Sequence, residues 1–178
     1  MAVVPVVSRR RWVSGLLSGL TVAGLAGCGF RIRGQGVRMP FASVWLNAPQ
    51  GGELIRSLVA QLQASGVTVT RQRPAEGAAQ PETVLDVLQD QRERVVVGTT
   101  AAGQVRELQL RHRVRFRLRT LRGRDVLGET ELLQERELSF NETQVLGKEE
   151  EEALLYADMR AGLVRQWMAR LAAARLPI

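Results

Sequence analysis

The chain of 178 residues contains one cysteine, one histidine and one lysine, and these scarcities exclude several kinds of protein. The lone cysteine, Cys28, cannot form an internal disulfide, and one cysteine with one histidine, His112, cannot supply a His/Cys metal site. The chain also lacks a G-x-S-x-G nucleophile elbow, a P-loop and a glycine-rich dinucleotide turn after a strand. We therefore expect no enzymatic activity, no metal and no cofactor.

The start of the chain has the pattern of a lipoprotein signal peptide. A basic segment, Arg9–Arg11, precedes an uncharged apolar run, Trp12–Ala26, that is too short for a comfortable transmembrane helix of about 20 residues. The run ends in Leu25-Ala26-Gly27-Cys28, which has the form of a lipobox. We predict removal of residues 1–27 and a diacylglyceryl thioether on Cys28. The alternative is an ordinary signal peptide or membrane anchor with an incidental buried cysteine.

The predicted leader also bears on location and charge. Gly29 follows the lipidated position, and no aspartate of the kind that retains lipoproteins at the inner membrane stands there, so we expect an outer-membrane location. Loss of Arg9–Arg11 with the leader lowers the net charge from +7 to +4. This modest balance does not favour a nucleic-acid partner.

Residues 28–40 are predicted to form a lipidated tether, and residues 41–178 one folded domain with its own core. The patterns of apolar residues predict, in order, strand Val44–Ala48, helix Glu53–Ser65, strand Val67–Thr70, strand Thr83–Val97, strand Leu108–Leu118, a return strand after the turn Arg122–Asp125, and helix Lys148–Ala174. The start favours a parallel βαβ unit. The predicted fold class is α/β (α+β): a two-layer sandwich with two helices on one face of a mixed, mostly antiparallel sheet of four to five strands.

The predicted hairpin around Gly123 alternates charged and apolar residues. Every odd position from Arg111 to Arg119 is arginine, whereas the even positions are apolar apart from His112. Glutamates occupy odd positions 129, 131, 135 and 137 of the return strand. Because side chains alternate between the faces of a strand, both charged sets are predicted to share one solvated, self-neutralised face. The alternative is an anion-binding face; His112 is predicted to be a buried core residue.

The last helix is predicted to bury one stripe of side chains and to begin among acidic residues. The stripe comprises Leu154, Ala157, Ala161, Val164, Met168 and Leu171, flanked by Leu163 and Trp167. The run Glu149–Glu152 near the helix start fits the macrodipole and is more typical of a helix N-terminus than of a metal site.

The segment Cys28–Gly34, with sequence C-G-F-R-I-R-G, resembles the C-G-F-x-L-R-G opening of the LptE family of lipopolysaccharide-assembly lipoproteins. The β-α-β start, the long strands around a Gly103-Gln104 tip and the terminal helix agree with that family. The resemblance implies a non-enzymatic subunit of the outer-membrane lipopolysaccharide translocon. Such a subunit plugs a β-barrel partner of the LptD type, assists its assembly and binds lipopolysaccharide.

The resemblance also implies candidate ligand contacts. Lys148 matches the basic position that the family places just before its last helix, and its alternative is a solvated helix-start lysine. Thr99–Ala102 stands where a family arginine is expected at the hairpin tip, so Arg106, Arg94 and Arg92 are the substitute candidates for lipopolysaccharide contacts. Two alternative functions stay open: a lipid-anchored binding or activator lipoprotein of another envelope system, such as cell-wall synthesis, and an anchored hydrolase, which the absence of a nucleophile disfavours.

Overall fold

The computed structural model describes residues 38–49, 51–75, 79–139 and 145–176. Its elements are β1 (Ser43–Asn47), α1 (Glu53–Ala64), β2 (Thr68–Thr70), β3 (Thr83–Thr99), β4 (Val105–Thr120), β5 (Asp125–Ser139) and α2 (Val145–Ala172). The predicted signal peptide, Cys28 and most of the tether lie outside the described residues, and the domain boundaries stay predictions. Among the described helices, none is long and apolar enough to span a membrane.

The strands form one five-stranded sheet in the order β2-β1-β3-β4-β5. β1 runs parallel to both β2 and β3, whereas β3, β4 and β5 pair antiparallel. The parallel βαβ start and the α+β fold class are confirmed. The two helices pack into one main apolar core with the sheet, in which Phe116 and Trp167 stack with ring centroids 4.5 Å apart.

The apolar residues of helix α1 recur at intervals of three and four, and the face that this spacing predicts is buried. Leu54, Ile55, Leu58 and Leu62 are buried, and their separations of three and four residues place them on one side of the helix. Gly66 follows the helix with a φ of +84°, the left-handed conformation that glycine adopts without steric cost. This reversal brings Val67 into the core and β2 alongside β1.

Buried and exposed residues alternate imperfectly along β3, and a β-bulge at Leu88 explains this irregularity. The register with β4 shifts between Val87 and Gln89, which places one extra residue in β3. Asp86 therefore faces away from the helices, while Asp90, four residues later, lies on the helix side beside His112. We call these two faces of the sheet the outer face and the inner face.

Helix α2 differs from its prediction at its N-terminal half. It begins at Val145, so Lys148 lies inside the helix. Glu149–Glu152 therefore lie after the first turn, and the macrodipole acts most strongly within that first turn. Leu154 is 71% exposed and Ala161 is also exposed, so the predicted stripe is wrong there. The buried residues are Tyr156, Met159, Gly162, Leu163, Val164, Trp167, Met168 and Leu171. Tyr156 and Met159 pack in a second cluster with Leu108, Leu110 and Leu138.

Candidate functional site

The outer face carries the predicted rows of opposite charge. Three ion pairs join β4 to β5: Arg111–Glu135 at 2.9 Å, Arg113–Glu131 at 3.2 Å and Arg115–Glu129 at 3.1 Å. The last two are diagonal, because the residues directly opposite Arg113 and Arg115 in β5 are Leu133 and Glu131. The prediction that this face neutralises its own charge is confirmed for these three arginines. Such half-exposed pairs contribute about 0.2–1 kcal/mol each.

The other two arginines of the outer face, Arg117 and Arg119, bind a carboxylate that the sequence pattern did not reveal. Arg119 Nε and Arg117 Nε donate to Asp86 Oδ2 at 2.6 Å and 3.0 Å, and Asn47 Nδ2 donates to Asp86 Oδ1 at 2.8 Å. Burial opposes ionisation of Asp86, but the hydrogen bonds from Arg119, Asn47 and Arg117 prevail and lower its pKa to about 2. Asp86 therefore fixes β1 and β4 to β3 at one end of the outer face.

His112 is a buried residue of the inner face, as predicted. Its ring is fully buried, and Nε2 lies 2.8 Å from Asp90 Oδ1. Its ring edge meets Tyr156 at a centroid distance of 6.4 Å. Among the described residues, no serine, threonine or cysteine completes a catalytic arrangement with this pair, and no group of three or more His, Cys, Asp and Glu residues could hold a metal ion.

A groove of about 790 Å³ lies on the inner face, between β3, the start of α1 and the N-terminal half of α2. Its lining includes Glu53, Arg92, Arg94, Glu149, Glu152, Tyr156 and Arg160. The Arg92 guanidinium lies 5.1 Å from the centre of the Tyr156 ring, and Tyr156 donates its hydroxyl to the Glu93 carbonyl at 2.9 Å. Burial, assisted by Glu152, raises the pKa of Tyr156.

Ion pairs span this groove. Glu53 accepts from Arg160 of α2 and from Arg92 of β3 at 3.4 Å, and Arg94 pairs with Glu152 at 3.4 Å. Arg160 and then the Arg92 hydrogen bond lower the pKa of Glu53. The groove thus presents both positive and negative groups around the Tyr156 ring. A ligand with anionic groups can bind the groove arginines only by replacing their present ion pairs with Glu53 and Glu152.

The four candidate ligand contacts do not form one cluster. Arg92 and Arg94 line the groove, whereas Arg106 is exposed on β4 beside the hairpin tip. The register with β3 shifts between Val105 and Glu107, so Arg106 is the extra residue of a β-bulge and alternation does not assign it to the inner face. Lys148 lies in the first turn of α2, 19% exposed, with Nζ 2.7 Å from Glu151. It is therefore an ion-paired helix residue and does not precede the helix.

Sequence reasoning missed Tyr156, Arg160 and Glu53 as groove residues. They come from two helices, and the ion pair that joins Arg160 to Glu53 spans 107 positions of the chain. A periodicity within one element carries no signal for such a contact. Of the predicted candidates, Arg92 and Arg94 alone belong to the groove.

Comparisons with known proteins agree with this architecture. The family model described as LptE, lipopolysaccharide-assembly, matches residues 41–171. A solution structure of an uncharacterized lipoprotein B from Nitrosomonas europaea is 29% identical, with a TM-score of 0.67, over 82% of this chain and 91% of that one. The comparison with curated proteins finds no match.

Two crystal structures share the fold at lower identity. A minor lipoprotein from Acinetobacter baumannii is 20% identical, with a TM-score of 0.60, over 78% of this chain and 99% of that one. The rare lipoprotein B from Shewanella oneidensis is 24% identical, with a TM-score of 0.56, over 72% of this chain and 94% of that one. Since the family match covers nearly the whole described domain, the chain belongs to the LptE family of lipopolysaccharide-assembly lipoproteins.

Proposed function

We propose that this chain is a non-catalytic outer-membrane lipoprotein subunit of the lipopolysaccharide translocon. In this role it plugs a β-barrel partner of the LptD type, assists the assembly of that barrel and binds lipopolysaccharide for insertion in the outer leaflet. Family membership supports a role in lipopolysaccharide assembly. The finer statements rest on the chemistry of the two sheet faces and of the predicted anchor.

The observation that carries the plugging role is the charge balance of the outer face. The interior of a large membrane barrel is polar and wet, so a plug needs a surface that is hydrophilic without strong net charge. Rows of Arg–Glu pairs and the Asp86 cluster provide such a surface along β4 from Arg111 to Arg119. An unbalanced arginine face would instead favour an anionic partner over a barrel wall.

Affinity capture from outer membranes tests the assignment. The tagged chain is expected to retain one large β-barrel protein, and its depletion is expected to reduce the amount of assembled barrel and of surface lipopolysaccharide. Capture of a periplasmic cell-wall enzyme with normal surface lipopolysaccharide would support the activator function instead. Recovery of the chain alone, with an intact barrel after depletion, would contradict the proposal.

The lipid anchor is proposed from Cys28 and has a separate test. Mass spectrometry of the membrane-bound protein is expected to show a mature chain beginning at Cys28 with two or three acyl chains, enough for stable anchoring. Cys28→Ser is expected to remain unprocessed and without lipid. An unmodified Cys28 in the membrane fraction would contradict the anchor while leaving the fold and the family unaffected.

Lipopolysaccharide binding is proposed to use Arg92 and Arg94 of the groove, Arg106 near the tip of the β3–β4 hairpin, and Lys148. Arg106 gives the clearest test, since among the described residues it makes no ion pair that its loss would break. Arg106→Ala is expected to weaken binding of purified lipopolysaccharide about threefold to tenfold, as loss of one charge-assisted contact would. Arg124→Ala, in the turn at the opposite end of β4, is the control and is expected to bind normally. Equal loss in both variants would show a nonspecific charge effect.

Arg92, Arg94 and Lys148 need a different readout, because each already has a partner. Lys148→Gln is expected to reduce lipopolysaccharide binding with about 1 kcal/mol or less lost in stability, because the partner carboxylate of Glu151 is half exposed. Unfolding by urea gives the stability and fluorescence titration gives the affinity. Unchanged binding in Lys148→Gln would remove Lys148 from the site.

A further inference from the structure

The outer edge of the sheet, formed by β5, has the properties of a docking strand. β5 is the last strand in the order β2-β1-β3-β4-β5, so in the described chain no strand pairs with its far side. Its backbone N–H and C=O groups on that side form a row that another strand can bind. The opposite edge, β2, has only three residues and offers no comparable row.

The C-terminal two thirds of β5 form a long and regular edge. From Thr130 to Ser139 every residue of β5 is in continuous register with β4, and this stretch contains no proline or glycine. The register shifts are confined to the beginning of the strand, around Gly128. Natural sheets usually protect such edges with prolines, bulges or very short strands. In β5 the bulges stop before the regular stretch, and the protection that remains there is its charged side chains, which oppose pairing with a like-charged strand.

The faces of β5 are already occupied, so the edge itself is the free feature. Helix α2 covers the inner face, where Arg136 donates to Asp158 at 2.7 Å and Gln134 packs against Gly162. On the outer face Glu129, Glu131 and Glu135 pair back to the arginines of β4. An added strand would extend the sheet without displacing either set of contacts.

The charges of the edge indicate what kind of strand fits. Glu129, Glu131, Glu135 and Glu137 are exposed on the outer face at alternate positions that only Leu133 interrupts, and among the described residues Glu137 has no cationic partner. A neighbouring strand would place its side chains directly opposite this acidic column. Arginine or lysine at every second position would therefore be favoured. A second copy of β5 would set glutamates against glutamates and is disfavoured.

We propose that β5 is a β-augmentation site for an extended segment of another polypeptide that carries basic residues at alternate positions. The segment becomes a sixth strand: its backbone pairs with the edge and its basic side chains pair with the glutamate column. The partner need not be the barrel subunit proposed above, so failure to capture a barrel would leave this inference intact.

A peptide of alternating arginine and threonine, eleven residues long, tests the proposal with the purified full chain in detergent. Peptide binding is expected to protect from hydrogen exchange alternate amides of β5 that are unprotected in the free protein. Two versions, N-methylated on opposite sets of alternate backbone nitrogens, discriminate strand pairing from charge attraction. One version is expected to lose binding at least tenfold, and the other to keep it, since only alternate N–H groups of an added strand point to the edge.

Protein variants check the charge component. Glu137→Lys is expected to weaken binding of the arginine–threonine peptide about threefold to tenfold. Glu150→Lys, at an exposed position of α2, is the matched control and is expected to leave peptide binding unchanged. Protection of the amides that pair β5 with β4 shows that each variant is folded. Equal binding of both methylated peptides or of a glutamate–threonine peptide overturns the proposal. The proposal is also overturned if the peptide does not protect the β5 amides from hydrogen exchange, or if self-association already protects them without peptide.

Discussion

Two aspartates of β3 show how far a single residue can depart from its sequence pattern. Asp86 and Asp90 have the same parity and would share a face in a regular strand, yet Asp86 binds arginines on the outer face and Asp90 binds His112 on the inner face. The bulge at Leu88 separates them. The pattern predicted a buried His112, but its partner depended on the bulge, which uneven alternation alone did not locate.

Asp86 is expected to contribute most among the outer-face charges. Its pKa of about 2 in the folded protein lies below its ordinary value of 3.8, so its ionised form stabilises the fold by about 2 kcal/mol above pH 4. This contribution falls as the pH decreases from about 4 to about 2. Asp86→Asn is therefore expected to lose about 2 kcal/mol at pH 7 and progressively less towards pH 3, measured by urea unfolding.

Glu129→Gln supplies the control for that measurement. The Arg115–Glu129 pair is about half exposed, so its loss is expected to cost less than 0.5 kcal/mol at any pH. A deficit in Asp86→Asn that stays constant between pH 7 and pH 3 would show that the cost comes from altered packing and not from the carboxylate charge.

At the scale of elements, the alternating hairpin was predictable and the last helix was so only in part. Period-two alternation assigns the faces of β4 directly, and its even positions from Leu108 to Leu118 are all buried. The helix is different, because α2 contacts two separate apolar clusters along its length. Its C-terminal half follows the predicted stripe. In its N-terminal half, however, Tyr156 and Met159 are buried against Leu108 and Leu110 of β4 and Leu138 of β5, and Leu154 is not. Local spacing within the helix does not contain that choice.

Two substitutions in α2 separate the observed buried face from the predicted one. Met159→Ala is expected to cost about 2–5 kcal/mol, because Met159 is fully buried and its loss leaves a cavity in the second cluster. Leu154→Ala is expected to change stability by less than 0.5 kcal/mol, since Leu154 is 71% exposed. The measurement is the free energy of unfolding in urea. A larger loss in Leu154→Ala than in Met159→Ala would favour the original stripe.

At the scale of the whole molecule, the sheet separates two kinds of surface. The outer face holds balanced rows of charge, and the inner side holds the helices, the groove and the candidate ligand contacts Arg92 and Arg94. The sequence predicted the layers and the charged face because each depends on periodicity within an element. It could not predict the groove, whose ion pairs join β3 and both helices.

A plug is surrounded by its barrel, and this geometry gives a test of the whole assembly. Photo-crosslinking residues placed at Gln91 on the outer face and at exposed Gln61 and Gln166 on the two helices are all expected to capture the same barrel protein. A subunit docked from one side would crosslink from one face only. Crosslinks from Gln91 alone would therefore reject the plug while preserving barrel contact, and crosslinks from the helices alone would assign the interface to the inner side and leave the charge-balanced outer face in water.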